Sequence, residues 1–138
     1  MTDEQTKQSR NKEIVRAAFE RWTNGTGSGF DLLHPDVRWT IVGSSPISNT
    51  YGKQDLMEKV TKPFLARLKG PVIPTVHGIY ADGDAVIVLY DATGVAKDGI
   101  PYSNRYAWFL EMKDGLIIKG TAFFDTRDYD ALWARVAP

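Results

Sequence analysis

No cysteine occurs among the 138 residues, so disulfides, thiolate nucleophiles, cysteine-ligated zinc and iron–sulfur clusters are excluded. Histidine is nearly as scarce. There are two, His34 and His77, and no HxH, HExxH or EF-hand spacing accompanies them. No metal site is expected. Neither a phosphate-binding loop nor GxGxxG is present, so no nucleotide cofactor is implied, and no GxSxG elbow marks a hydrolase serine. An excess of charge is missing too. Seventeen Lys and Arg balance 17 Asp and Glu, which gives no reason to expect nucleic acid or an anionic membrane as partner. No apolar run approaches the roughly 20 residues of a membrane span, and no signal-peptide core opens the chain. The expectation is a cytoplasmic protein.

What is present suits one domain. Hydrophobic residues make up 43% and charged residues 25%, a globular balance at a common domain size. Residues 1–10 are polar without periodic apolar positions and read as a flexible arm, leaving 11–138 as the domain. Ile14, Val15, Ala18, Phe19 and Trp22 then recur at helical spacing up to the glycine-rich stretch at 24–29. Phe30 to Leu33 reads as a short helical turn and Val37 to Val42 as a strand. Lys53 to Leu68 reads as a helix with a kink or break near Lys62, because Pro63 removes a backbone bond and crowds the turn before it. Four runs rich in β-branched and aromatic residues follow, 72–80, 84–95, 100–112 and 116–124, separated by Asp-Gly pairs, a strong hairpin signal. A short helix over 129–136 closes the chain. Helices first and an antiparallel meander second make an α+β plan.

The segments FDLLHPDVRW (30–39), YGKQDL (51–56), ADGDAVIVLYDATG (81–94), DGIPYSNRYAWFLEMKDG (98–115) and AFFDT (122–126) resemble the SnoaL-like group of the nuclear transport factor 2-like superfamily. That group includes polyketide cyclases, ketosteroid isomerases and limonene epoxide hydrolases. The resemblance spans about residues 12 to 136. It implies a cystatin-like cone, a curved antiparallel sheet packed on three or four helices around a deep apolar pocket. It also implies a homodimer through the outer face of the sheet. Laid along the epoxide hydrolases, a catalytic aspartate falls on Asp91, its neighbouring arginine on Leu89 and a second aspartate on Ala122. The pocket tyrosine and asparagine fall on Trp39 and Ile41. Laid along the isomerases, the general base falls near Thr40 and the proton donor near Trp108. Neither active site carries over intact.

Strand alternation decides which side chains share the pocket. With Asp98-Gly99 as a two-residue turn, Asp91 faces Tyr106, Thr93 faces Asn104 and Leu89 faces Trp108. Tyr90, Ala92, Arg105 and Ala107 then lie on the outer, dimer-forming side. Around Asp114-Gly115 two geometries stay open. A three-residue loop puts Gly120, Ala122 and Phe124 with Asp91; a two-residue turn puts Thr121, Phe123 and Asp125 there. A carboxylate within AVIVLYDAT would be costly to bury unless it were paired or its pKa rose, and a raised pKa in a pocket suits a general acid or base. Asp91 is therefore the expected proton-transfer group, with Tyr106 and Asn104 holding a substrate oxygen. Trp39, Leu89, Trp108 and Phe124 would line the pocket, and His77, alternating with Thr75 and Ile73, could point inward as well. Asp125 precedes the last helix, where an N-cap is its better role.

Three functions are compatible with this reading, and the first is the preferred one. One is an acid–base enzyme (isomerase, cyclase, dehydratase or hydrolase) acting on a small hydrophobic molecule. The second is a non-catalytic ligand-binding domain of the same shape. The third is a dimeric interaction module whose pocket is filled by its own aromatic side chains.

Overall fold

The computed structural model describes residues 2–138. The chain runs through a long helix α1 (Asp3–Thr23), a 3-10 turn (Gly29–Leu32), strands β1 (Leu33–Ile41) and β2 (Asn49–Tyr51), and short helices α2 (Lys53–Leu56) and α3 (Lys62–Leu65). Strands β3 (Ile73–Asp82), β4 (Ala85–Val95), β5 (Pro101–Lys113) and β6 (Leu116–Phe124) and helix α4 (Thr126–Arg135) complete it. One six-stranded sheet has the order β2-β1-β6-β5-β4-β3. Its pairs are antiparallel except β1 and β6, which run parallel. The cystatin-like α+β architecture expected from the sequence is present. Among the described residues no helix is long and apolar enough to cross a membrane.

The first departure from expectation is at the N-terminus. Residues 3–10 are helical, not a flexible arm. The Thr2 hydroxyl accepts from the Gln5 amide at 3.1 Å while the Gln5 side chain accepts from the Thr2 amide at 2.9 Å. This reciprocal cap satisfies two otherwise orphaned donors. Lys7 then reaches Asp84 at the β3–β4 turn, 2.8 Å away. These turns are mostly exposed, so they carry no apolar stripe for a periodicity argument to find.

Pro63 acts as foreseen, though it bends the helix without breaking it. The residues ahead of it, Met57–Thr61, form a π turn that joins α2 to α3. Widening the turn by one residue relieves the clash between the proline ring and the preceding carbonyl.

Hairpin geometry sets the face of every strand residue. Between β4 and β5 the loop is Lys97-Asp98-Gly99, three residues long: the Ala96 amide donates to the Ile100 carbonyl at 3.0 Å and Gly99 sits at φ 85°. Asp98 supports the loop by accepting from the Ile100 amide at 3.1 Å. Asp91 consequently pairs with Arg105, Tyr90 with Tyr106, Ala92 with Asn104, Leu89 with Ala107 and Val88 with Trp108. The register differs by one residue from that of a two-residue turn, and a one-residue slip carries each side chain to the opposite face. Between β5 and β6 the turn is the two-residue Asp114-Gly115, both residues at positive φ. A bulge follows, between the Met112–Ile117 and Glu111–Lys119 pairs, and restores Gly120, Ala122 and Phe124 to the concave face.

The core lies between that concave face and the helices. Val86, Val88, Tyr90 and Ala92 of β4, Trp108, Leu110 and Met112 of β5, and Val37, Trp39 and Ile41 of β1 meet Val15 and Phe19 of α1, Leu56 of α2 and Leu132 of α4.

Candidate functional site

Trp108 is the centre of an aromatic cluster. Its ring lies 4.8 Å from Trp39, 5.1 Å from Phe30, 5.2 Å from Tyr90 and 5.5 Å from Phe19 between centroids. Trp22 closes one side, its indole N–H donating to the Val72 carbonyl at 2.8 Å. The rings do not fill the cone. A cavity of about 310 Å³ remains, lined by Trp22, Trp39, Tyr90, Tyr106, Trp108 and Phe124 with apolar residues of α2, α3 and the strands. Its exposed rim includes Gly25, Leu65 and Pro71. The size is near the low end of small-molecule sites, roughly 300–1,000 Å³. Among the described residues no carboxylate, imidazole, amine or guanidinium lines it; its ionisable side chains are the phenols of Tyr90, Tyr106 and Tyr129.

The polar corner is built from β5. Asn104, buried, accepts from the Asp125 amide through Oδ1 at 3.2 Å and donates through Nδ2 to the Asp125 carbonyl at 2.8 Å. Its amide orientation is thereby fixed, and Nδ2 also donates to the Tyr102 hydroxyl at 2.9 Å. Tyr102 and Tyr106 hydroxyls are 2.7 Å apart. Either hydroxyl of that pair can donate; with Asn104 already donating to Tyr102, which is 3% exposed, donation from Tyr102 to Tyr106 satisfies the Tyr102 proton and leaves the Tyr106 proton for the cavity. Each bond in such a chain polarises the next. Burial pushes the phenols upward: Tyr102 to about 12, Tyr90 and Tyr106 well above the ordinary value of 10.0. They are neutral hydrogen-bond donors at physiological pH, not bases.

Of the residues singled out from the sequence, Tyr106, Trp39, Trp108 and Phe124 line this cavity. Asn104 lies behind Tyr102 and anchors the start of α4. Asp125 caps that helix by accepting from the Arg127 amide at 3.0 Å. Asp91, Leu89 and His77 are elsewhere. Asp91 is on the outer face, held by Arg105 at 2.8 Å and by His77 at 2.9 Å. Its side chain is 29% exposed. The Arg105 guanidinium first, and His77 second, hold its carboxyl well below the usual carboxylate range. That is the reverse of the raised pKa a buried general acid needs. Leu89 shares the outer face, opposite Ala107. His77 occupies the bulge where the β3–β4 register shifts between Val76 and Gly78, which turns its ring outward to Asp91. Tyr90 and Ala92, expected outside, line the cavity instead, while Arg105 and Ala107 remain outside.

Tyr90, Tyr102 and Tyr129 escaped the sequence reading. Both phases of AVIVLYDAT are apolar enough to be buried, so alternation alone could not choose between Tyr90 and Asp91. The signal that could have chosen was Lys97 before Asp98-Gly99, which allows a three-residue loop with glycine in the left-handed position.

The pattern of the SnoaL-like domain family matches residues 15–120. The chain belongs to that family. No functionally curated protein matches this SnoaL-like domain in sequence. In structure it is similar to Bal32a from a soil-derived mobile gene cassette, at 20% identity and TM-score 0.74, over 92% of this chain and 98% of that one. TerC co-crystallised with polyporic acid is similar at 20% identity and TM-score 0.71, over 90% and 98%. A candidate SnoaL-like polyketide cyclase from Jannaschia sp. CCS1 is similar at 14% and 0.72, over 98% and 96%. Identities this low establish the shared fold of the SnoaL-like domain and leave its chemistry to its own residues.

Proposed function

We propose that this SnoaL-like domain binds a small, neutral, largely flat molecule carrying a carbonyl or hydroxyl oxygen, and that Tyr106 donates a hydrogen bond to that oxygen. The observation carrying this reading is the composition of the cavity wall: aromatic and aliphatic apart from Ser28 and Thr61, with phenols as the sole ionisable groups among the described residues. Burial of an ionised ligand there would cost several kcal/mol without a counter-charge. Flat aromatic walls favour a flat ligand. The polarised chain from Asn104 through Tyr102 makes Tyr106 a better donor than an isolated phenol. The co-crystallisation of TerC with polyporic acid supports small-molecule binding by this fold.

Acid–base catalysis centred on Asp91 loses its premise, because that carboxylate is on the far side of the sheet from the cavity. Of the functions considered from the sequence, ligand binding is favoured. Any reaction at this site would be assisted by hydrogen bonding and confinement, not by a carboxylate base. A homodimer belongs to the same proposal. Phe109 and Phe123 are 44% and 45% exposed on the outer face and pack edge to face at 5.6 Å, an apolar patch suited to a second copy.

The test is a titration with 9-fluorenone and with fluorene, which has the same ring frame without the oxygen. Fluorenone should bind more tightly to the wild type. Tyr106→Phe should reduce that preference, at a cost of about 1–3 kcal/mol, roughly 5- to 150-fold in affinity. Equal affinity for the two probes in the wild type contradicts the proposal.

A further inference from the structure

One phenol in the cavity has no assigned task. Tyr90 is 1% exposed and lines the cavity, yet its hydroxyl has no part in the Asn104–Tyr102–Tyr106 chain and makes no hydrogen bond among the described residues. Buried tyrosines ordinarily find a partner for the hydroxyl. Tyr129 also has an orphaned hydroxyl, but that atom is fully enclosed, whereas the Tyr90 oxygen is not sealed off. The open space against Tyr90 is the cavity.

Its placement relative to Tyr106 is specific. The two residues are directly opposite on β4 and β5, and their rings stack at 5.1 Å between centroids with planes 8° apart. Both side chains leave the concave face of neighbouring strands, and both line the cavity. Tyr106 brings a proton already polarised by Tyr102, and Tyr90 brings one with no competing acceptor. Burial keeps both protonated at neutral pH.

The geometry points to a two-phenol clamp in which Tyr90 and Tyr106 both donate to a single acceptor oxygen of the bound molecule. This rests on the binding role proposed above and narrows it: the ligand oxygen is a carbonyl or an equally strong acceptor with two accessible lone pairs. A lone hydroxyl, busy with its own proton, would use the site less well. The consequence for chemistry is that negative charge developing on that oxygen would meet two donors in a largely apolar pocket, the arrangement that favours an enolate-like state. The proton lost in forming such a state would have to leave with a base carried by the ligand or solvent, since the wall offers none.

The clamp is tested with Tyr90→Phe, Tyr106→Phe and the double variant, using 9-fluorenone and fluorene as probes. Affinity is read by titration, and the infrared carbonyl stretch of bound fluorenone reports the number of donors directly. Tyr90→Phe should weaken fluorenone about five- to tenfold, leave fluorene unchanged, and move the carbonyl band back toward the single-donor position. The double variant should bind both probes alike. Because an unpartnered hydroxyl is all that is removed, free Tyr90→Phe should melt no lower than wild type, and its fluorene binding serves as the check on its fold. Unchanged fluorenone affinity and an unmoved band in Tyr90→Phe overturn the clamp while a Tyr106→Phe effect leaves the binding role standing. A wild type that does not prefer fluorenone overturns both.

Discussion

Asp91 gains its ionic environment from a neighbour across the strand. The Arg105 guanidinium grips both carboxylate oxygens, at 2.8 and 3.2 Å, and His77 approaches one of them. A carboxyl whose folded pKa is depressed stabilises the fold above its unfolded pKa near 3.8 and loses that contribution as the pH falls through this range. The group is partly in water, so the effect is modest and weakened by salt. Asp91→Asn should therefore melt slightly below wild type at neutral pH, with the gap closing on acidification below the ordinary carboxylate range. Melting curves over that pH series check it, and a gap that widens in acid contradicts it. Tyr129 is the opposite case. Its hydroxyl is fully enclosed and has no partner among the described residues, while its ring stacks on Phe64 at 5.0 Å and on Trp133 at 5.5 Å. Tyr129→Phe keeps the stacking and removes an unpaid desolvation, so urea unfolding should give equal stability or a gain of up to about 1 kcal/mol. A loss larger than that would mean the hydroxyl has a partner after all.

Among the elements, the pairing of β1 with β6 shows how one backbone position shapes the cavity. Trp39 lies opposite Gly120, and a Cβ on that glycine would come within 2.2 Å of the indole ring. The indole lies flat on bare backbone, and from there it forms part of the cavity wall. Gly120→Ala should cost about 1–3 kcal/mol by overpacking and weaken fluorenone binding as the indole moves inward. Thermal melting together with tryptophan fluorescence would measure both, and a stable variant with unchanged binding would contradict this role. The strand runs and most helix positions were legible in the sequence because periodicity and Asp-Gly punctuation report local structure. What was not legible was register. Asp98-Gly99 supports a two-residue or a three-residue loop, and the difference of one residue exchanges Asp91 for Tyr90 in the cavity. At Asp114-Gly115 the turn and its later bulge had opposing effects, so Phe124 faced inward by a route local residues do not announce. Trp39, expected in the pocket from the family likeness, and Trp108, expected there from strand alternation along β5, both line the cavity.

The whole molecule separates two surfaces on one sheet. Its concave face is aromatic and aliphatic, and no charged side chain among the described residues lines its cavity. Its convex face carries the Asp91–Arg105–His77 cluster, a Glu111–Lys119 pair at 3.9 Å and the exposed rings of Phe109 and Phe123. Apolar rings edged by paired charges of both signs suit a self-complementary contact. A stable contact of this kind buries about 800 Å² per partner. Light scattering coupled to gel filtration should therefore find a dimer, and Phe109→Ser combined with Phe123→Ser should convert it to a monomer that still binds fluorenone. A wild-type monomer at high micromolar concentration would contradict the dimer.

The division of labour between the two faces is tested most directly by a crystal structure of the 9-fluorenone complex. The ring system should lie against Trp108 and Phe124 with its oxygen within about 3.2 Å of the Tyr106 hydroxyl, while Asp91 stays paired with Arg105 on the far side. A ligand seated on the outer face, or one inside the cone whose oxygen ignores the phenols, would contradict it.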